Sequence, residues 1–406
     1  VKDVPPQPRS LSIHLVAAEE SGDALGAALA RALVAREGGA LKLAGVGGRA
    51  MAAAGISSPF LIDDLSIVGL TAIPRRLPMI LRRIRETADA IIAAAPDALV
   101  IIDSPDFTHR VARRVRARAP MIPIVDYVSP SVWAWRPGRA RAMRAYVDCV
   151  LAILPFEPAA HARLGGPSCI YVGHPLIERL SELRPNADEA LRRSADPPLV
   201  LVLPGSRSSE IRRLLSIFGA AMARVSARIG PMDLVLPTMP HLGAAVRAGV
   251  AGWPVTPRIV VEPAEKWAAF RTARAALAAS GTVTLELALA GVPTVAAYRL
   301  TLVEEVIARL AGISRRLTSV ILANLVIGEN VVPEFLQRDC VPERIADALT
   351  PLFSDTPERL RQIDAFARLD RIMALDAAPS AKAAAIVLDV ARRGRRDLAS
   401  AAKGQS

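Results

Sequence analysis

The chain has 406 residues, enough for two domains or slightly more, whose cores need neither disulfides nor a structural metal. A hydrophobic content of 52% excludes a disordered tail protein, and no apolar run reaches the ~18 residues of a membrane-spanning helix. The 51 Lys and Arg against 39 Asp and Glu leave +12, which points to an anionic partner (phosphate, nucleic acid or anionic lipid), while 4% aromatic content counts against base-stacking platforms and the three cysteines lack CxxC or Cys/His spacing.

The first ten residues are Pro-rich and read as a disordered arm. Strand and helix signals then alternate. Short apolar runs at 12–18, 41–47, 98–103, 122–128, 150–155 and 169–173 are separated by helical stretches such as 23–35. That pattern predicts a parallel sheet covered on both faces. The polar, Pro-containing stretch 181–198 has no strand signal and reads as a linker. The alternation restarts at 199–204, 232–237, 258–262, 273–280 and 292–298. The expected fold is α/β, two Rossmann-like doubly wound domains at 11–180 and 199–375 facing a cleft. A last helix and tail, 376–406, could pack back on the first domain, with SAAKGQS (400–406) expected to be a disordered tail.

Several strand-to-helix turns carry chemistry. In AAEESGDALG (17–26), Gly22 permits a sharp turn and Ser21 or Asp23 could cap the helix, leaving N–H groups for an anion or sugar. In IIDSPDF (101–107), Asp103 falls at a strand end, where a carboxylate can act as a general base or cap the helix at 108–118; Asp106 better suits the helix cap. The loop and helix YVSPSVWAWRPGRARAMR (127–144) joins two Trp to four Arg, a combination suited to sugars, acyl chains and phosphate. Residues 65–85 hold five Arg and no acid; Leu77, Ile80, Leu81 and Ile84 recur at helical spacing beside Arg75, Arg76, Arg82, Arg83 and Arg85. This reads either as a basic amphipathic helix for an anionic membrane or as a core-facing helix with solvated arginines.

In LPGSRSSEIRR (203–213), Gly205 allows close approach, and the turn's N–H groups with Ser206 and Arg207 form a candidate anion site. ASGTVTLE (279–286) repeats the device: Ser280, Gly281 and Thr282 make a turn suited to a diphosphate, with Glu286 one helical turn on to accept from ribose hydroxyls. Asn324 and Glu329 could read a base or sugar. His174 reads as a hinge or packing residue and His109 as structural. With no DxD, HExxH or Cys/His cluster, no metal or other cofactor is called for, and leaving-group charge would fall to Arg207 and helix N-termini.

The two halves, the SGT…E turn and the missing DxD resemble GT-B glycosyltransferases. The blocks AEESGDALG, IDSPDF, YVSPSVWAWR, LPF-E, GHP, LPGSR and ASGTVTLE, in this order over roughly 12–340, resemble the lipid-A-disaccharide synthase family. The resemblance implies transfer of sugar from UDP-2,3-diacylglucosamine to 2,3-diacylglucosamine 1-phosphate (lipid X), with inversion, to give a β-1,6 disaccharide 1-phosphate and UDP. It implies that Asp103 is the base, with Glu19 and Asp106 as other candidates, and that Arg207 holds the departing diphosphate. Gly205, Ser206, Ser280, Gly281, Thr282, Glu286 and Asn324 would bind UDP. Glu19, Ser21, Gly22, Asp23, Ser129, Trp133 and Arg136 would serve the acceptor. Leu77, Ile80, Leu81, Arg82 and Arg83 would dock on the anionic inner face of the cytoplasmic membrane, where both lipid substrates reside. Two alternatives stand beside this reading: a UDP-N-acetylglucosamine 2-epimerase-like enzyme of the same fold, and a basic nucleic-acid-binding protein suggested by the charge.

Overall fold

The computed structural model describes residues 10–65, 73–301, 305 and 318–403. The arm expected at 1–10 lies outside them except for Ser10, as do residues 66–72 of the basic stretch and 404–406 of the tail. The chain divides into two compact units: one runs to Pro175 and resumes at Leu375, the other is Leu176–Ala374.

Unit 1 carries a six-stranded sheet of β1 (Leu11–Ala17), β2 (Leu41–Val46), β3 (Ala98–Ile102), β4 (Ile124–Tyr127), β5 (Cys149–Ala152) and β6 (Ser168–Tyr171), in the order β2-β1-β3-β4-β5-β6. Every pairing is parallel. The sequence ALVII of β3 is buried at every position, because a parallel sheet covered on both faces has no solvent side for polar residues to occupy. One face is closed by helix Glu20–Glu37 and by the C-terminal helix Pro379–Lys403, whose Ala383, Ala384, Val387 and Leu388 share a core with Ile13, Leu15, Ala30 and Leu33. The other face packs Ile84, Ala88 and Ile91 against Leu99, Ile101, Val111 and Val115.

Unit 2 carries β7 (Leu199–Leu203), β8 (Asp233–Pro237), β9 (Arg258–Val260), β10 (Ala275–Ala279), β11 (Thr294–Tyr298) and β12 (Glu334–Leu336), in the order β12-β11-β10-β7-β8-β9 and again all parallel. The three-residue edge strand β12 escapes the sequence reading because it is short and only half-buried.

Two expectations are corrected. The stretch 181–198, expected as a linker between the domains, belongs to unit 2, with helices Leu180–Leu183 and Ala187–Ser194. A reciprocal cap between Asn186 and Glu189 starts the second helix. Arg193 then donates to the carbonyls of Phe270, Arg271, Ala290 and Gly291. Its charge satisfies backbone oxygens rather than facing water, so the segment's polarity misleads. The tail expected from Ser400 onward is helical as far as Lys403, beyond a break at Gly394 where φ is 66°. Among the described residues no helix is long and apolar enough to cross a membrane.

Candidate active site at the strand ends

Open α/β sheets bind ligands beyond the carboxyl ends of the strands, where strand order reverses. In unit 1 that point lies between β1 and β3, with Ala17 paired to Ile102. In unit 2 it lies between β7 and β10, with Leu203 paired to Ala278. The turns singled out from sequence leave these four strands.

Asp103 follows β3 in a left-handed backbone conformation (φ 52°), as does Ser104 (φ 45°). Two such non-glycine residues in a row are costly, a strain that clusters at functional turns. The turn is held by Thr108 Oγ1, which donates to the Asp103 carbonyl at 2.6 Å and the Ser104 carbonyl at 3.1 Å. The carboxylate is aimed by two donors: the Ser104 amide to Oδ1 at 2.8 Å and Ser21 Oγ to Oδ2 at 3.0 Å. Ser21 can reach because Gly22 packs on β3; a Cβ there would lie 3.1 Å from the Ile102 carbonyl and 3.6 Å from Asp103 Cβ. Structure thus joins Ser21, Gly22 and Asp103. Glu19 is exposed and precedes the helix, giving it no side-chain cap. Asp106 is exposed in the first turn of helix Pro105–Arg118, 3.5 Å from Arg139.

Asp23 departs from expectation. It neither caps its own helix nor faces outward, being 4% exposed. Its carboxylate accepts from the amides of Gly48, Ala50 and Met51 at 2.7, 2.8 and 3.0 Å, and so caps helix Arg49–Ala53. With three amides on it, Asp23 holds the loop after β2.

The Trp-Arg loop after β4 is clamped from beneath by helix Glu157–Arg163. His161 Nε2 lies 2.8 Å from Ser129 Oγ, and Trp133 Nε1 donates to Glu157 Oε1 at 3.2 Å. Trp133 also meets Phe156 edge-on at 5.2 Å. Ser129 is buried, so its hydroxyl serves this clamp. Arg136 is exposed, with its guanidinium 5.2 Å from the ring centroid of Trp135. Burial pushes the Glu157 carboxyl up to about 7, against the opposing hydrogen bonds from Leu154 and Trp133.

In unit 2, Arg207 precedes helix Ser208–Ile229 and its side chain is 77% exposed. The expectation that this turn's amides stand open to an anion is overturned for two of them. Glu210 Oε2 accepts from the amides of Ser206 and Arg207 at 3.1 and 3.2 Å. Sequence reasoning missed Glu210, although an acid three residues beyond a helix cap is a capping signal. The SGT turn after β10 is more open: Ser280 Oγ makes a long 3.4 Å bond to the Val320 carbonyl, Gly281 and Thr282 are exposed, and a Cβ on Gly281 would meet no atom within 4 Å. Glu286 is paired with Lys266 at 2.9 Å, whose ammonium lies 4.1 Å from the Trp267 ring centroid. Asn324, expected beside the UDP, has its side chain committed within the protein. It is 2% exposed, accepts from the amides of Val331 and Val332, and donates to Ser319 and the Val332 carbonyl. Three of these four hydrogen bonds hold Val331 and Val332, and the fourth reaches back to Ser319. Glu329 is engaged by Arg368 at 3.0 Å.

Two reversed parallel sheets with glycine turns at their strand ends define the GT-B class of glycosyltransferases and related epimerases. Solved structures agree at the level of fold: a UDP-N-acetylglucosamine 2-epimerase of Listeria monocytogenes (TM-score 0.61, 14% identity, 95% of this chain and 96% of that one) and MurG of Acinetobacter baumannii (0.58, 16%, 93% and 99%). The family model for lipid-A-disaccharide synthetase matches residues 13–387. A lipid-A-disaccharide synthase of Bradyrhizobium diazoefficiens is 62% identical over 385 residues, 95% of this chain and 97% of the relative. That of Rhodospirillum centenum is 42% identical over 387 residues, 94% and 95%. The chain belongs to the lipid-A-disaccharide synthase family and is a glycosyltransferase of lipid A biosynthesis.

Proposed function

We propose that the chain transfers 2,3-diacylglucosamine from its UDP conjugate to the 6-hydroxyl of 2,3-diacylglucosamine 1-phosphate, inverting the anomeric centre and releasing UDP. The observation that carries the assignment of roles is the Asp103 carboxylate at the reversal point of unit 1, aimed by Ser21 and the Ser104 amide. Inversion is a single displacement and needs one base to take the acceptor's hydroxyl proton. Asp103 serves as that base, and Ser21, Gly22 and Glu19 border the acceptor beside it. The loop carrying Trp133 and Arg136 offers an indole and a guanidinium to the acceptor's sugar, acyl chain and 1-phosphate. In unit 2, the exposed Arg207 side chain meets the diphosphate charge that grows as the glycosidic bond breaks. The turn of Gly205 and Ser206 and that of Ser280, Gly281 and Thr282 border the UDP, and Glu286, on release from Lys266, accepts from the ribose. Both substrates are lipids, so the enzyme works peripherally at the inner face of the cytoplasmic membrane.

The test is a reconstitution in detergent with EDTA, following the disaccharide phosphate and UDP by mass spectrometry. Wild type should form both without added metal. Asp103→Asn should retain fold and UDP binding but lose turnover by at least the 10²–10⁴ of a general base. Turnover surviving in Asp103→Asn removes that residue from the role. Conversion of free UDP-N-acetylglucosamine in place of lipid transfer turns the reading to an epimerase.

A further inference from the structure

We propose that Glu210 is a positioning residue for the donor diphosphate, acting through Arg207. The proposal rests on the reading that unit 2 binds the UDP-sugar.

The turn at 205–207 has the composition of a phosphate cradle, but its inner side is already filled by a carboxylate of the protein. Glu210 is 6% exposed at the start of the 22-residue helix Ser208–Ile229. Its Oε2 takes the Ser206 and Arg207 amides, and its Oε1 takes an Arg207 guanidinium nitrogen at 3.0 Å and the Tyr298 hydroxyl at 3.1 Å. Four donors approach the acceptor capacity of a carboxylate, and a negative group at a helix N-terminus is electrostatically favoured. The conformation of Gly205 follows from the same contact. Its φ is 111°, and a Cβ there would fall 2.3 Å from Glu210 Oε2. Tyr298 is set in turn by its place at the end of β11 and by the Arg213 guanidinium 6.0 Å from its ring centroid, while Arg213 Nε donates to the Ser209 carbonyl at 3.0 Å.

The Ser206 and Arg207 amides are committed to Glu210, so what the 205–207 turn offers the diphosphate is chiefly the Arg207 side chain. One guanidinium nitrogen is tethered to Oε1, and the other donors of that planar group remain for oxygen atoms of the substrate. A tether of this kind fixes a flexible, exposed arginine before substrate arrives, and loss of such aim costs rate even when the arginine itself is intact.

The experiment compares Glu210→Gln, Arg207→Lys and the double variant in the full chain, with kcat and KM measured for each substrate and UDP binding measured by equilibrium dialysis. A glutamine amide nitrogen cannot accept from the turn amides, so the turn and the guanidinium lose their common anchor. Glu210→Gln should lower kcat/KM for the UDP-sugar about 10- to 100-fold. The acceptor KM should stay within twofold, and the double variant should be little worse than Arg207→Lys alone, since two residues acting through one group are non-additive. Tyr298→Phe keeps the carboxylate and removes one donor; it should give a smaller loss with the same selectivity for the donor, which secures the result if Glu210→Gln fails to fold. Equal losses for both substrates, or losses in the double variant that multiply, overturn the positioning role and leave Glu210 a part of the framework. If wild type and Arg207→Lys bind UDP equally weakly, the donor-site reading itself falls, and this proposal with it.

Discussion

Two buried titrating groups of unit 1 make opposite demands on pH. Burial pushes Glu157 up to about 7 and His174 down to about 4, from ordinary values of 4.5 and 6.5. Between pH 4.5 and 7 the native state holds a proton on Glu157 that the unfolded chain has lost, so this group's contribution to stability falls as pH rises. Between pH 4 and 6.5 the unfolded chain holds a proton on His174 that the native state refuses, so that contribution falls as pH drops. The two slopes oppose each other over their common window. Measured by urea unfolding at pH 7 and pH 5, His174→Gln should gain about 2 kcal/mol relative to wild type on acidification, and Glu157→Gln should lose about 2 kcal/mol. Parallel pH profiles for wild type and either variant would remove that residue from the account. At this scale the sequence was legible where a side chain works at its own turn: Asp103 sits at its strand end as its spacing implies. It was illegible where the partner is distant in sequence. Asp23 caps a helix 25 or more residues away, and Asn324 spends its amide on a later loop.

The helix Ile73–Ala94 carries the membrane question, and the structure sorts its residues. Ile84, Ala88 and Ile91 are buried in the core, and Ile80 and Leu81 pack partly against it. Arg83 is held by Asp64 and Glu86, both at 3.0 Å, over the ring of Phe60. Most of the apolar periodicity in this helix thus serves the fold, and Arg83 is no free cation. Leu77, 41% exposed, and Arg82, with 62% of its side chain exposed beside Glu86, remain as the candidate docking pair. A basic side chain near an anionic surface contributes about 1 kcal/mol, so Leu77→Ser combined with Arg82→Glu should cut sedimentation with anionic vesicles roughly tenfold, leaving neutral vesicles as the baseline. An unchanged bound fraction would make the pair ordinary surface. The sequence offered both a membrane face and a core face here because amphipathicity marks a buried stripe without naming what covers it.

Unit 1 is completed only when the chain returns to it. Val387, Leu388 and Val390 are 0–3% exposed in the same core as β1 and β3. The Arg395 guanidinium ties this helix to Asp148 and the Pro120 carbonyl. Removing residues 376–406 should strip away at least about 5 kcal/mol of apolar burial, comparable to the whole stability of a domain. Such a truncation should bind a hydrophobic dye and lose one cooperative transition in calorimetry; a truncated chain that melts like wild type would make the helix dispensable. Local patterning by itself determined the alternation of elements, the two parallel sheets and the strand-end position of the reactive turns, because burial on both faces of a parallel sheet and the need for glycine or a small polar residue at a turn are written in neighbouring residues. Only the tertiary structure decided that 181–198 folds into unit 2, that the last helix closes unit 1, and that Tyr298 of β11 joins Arg207 on the Glu210 carboxylate. Each depends on a partner that the chain supplies elsewhere or in a geometry set by packing, and a buried polar group must find its partner wherever the fold brings one.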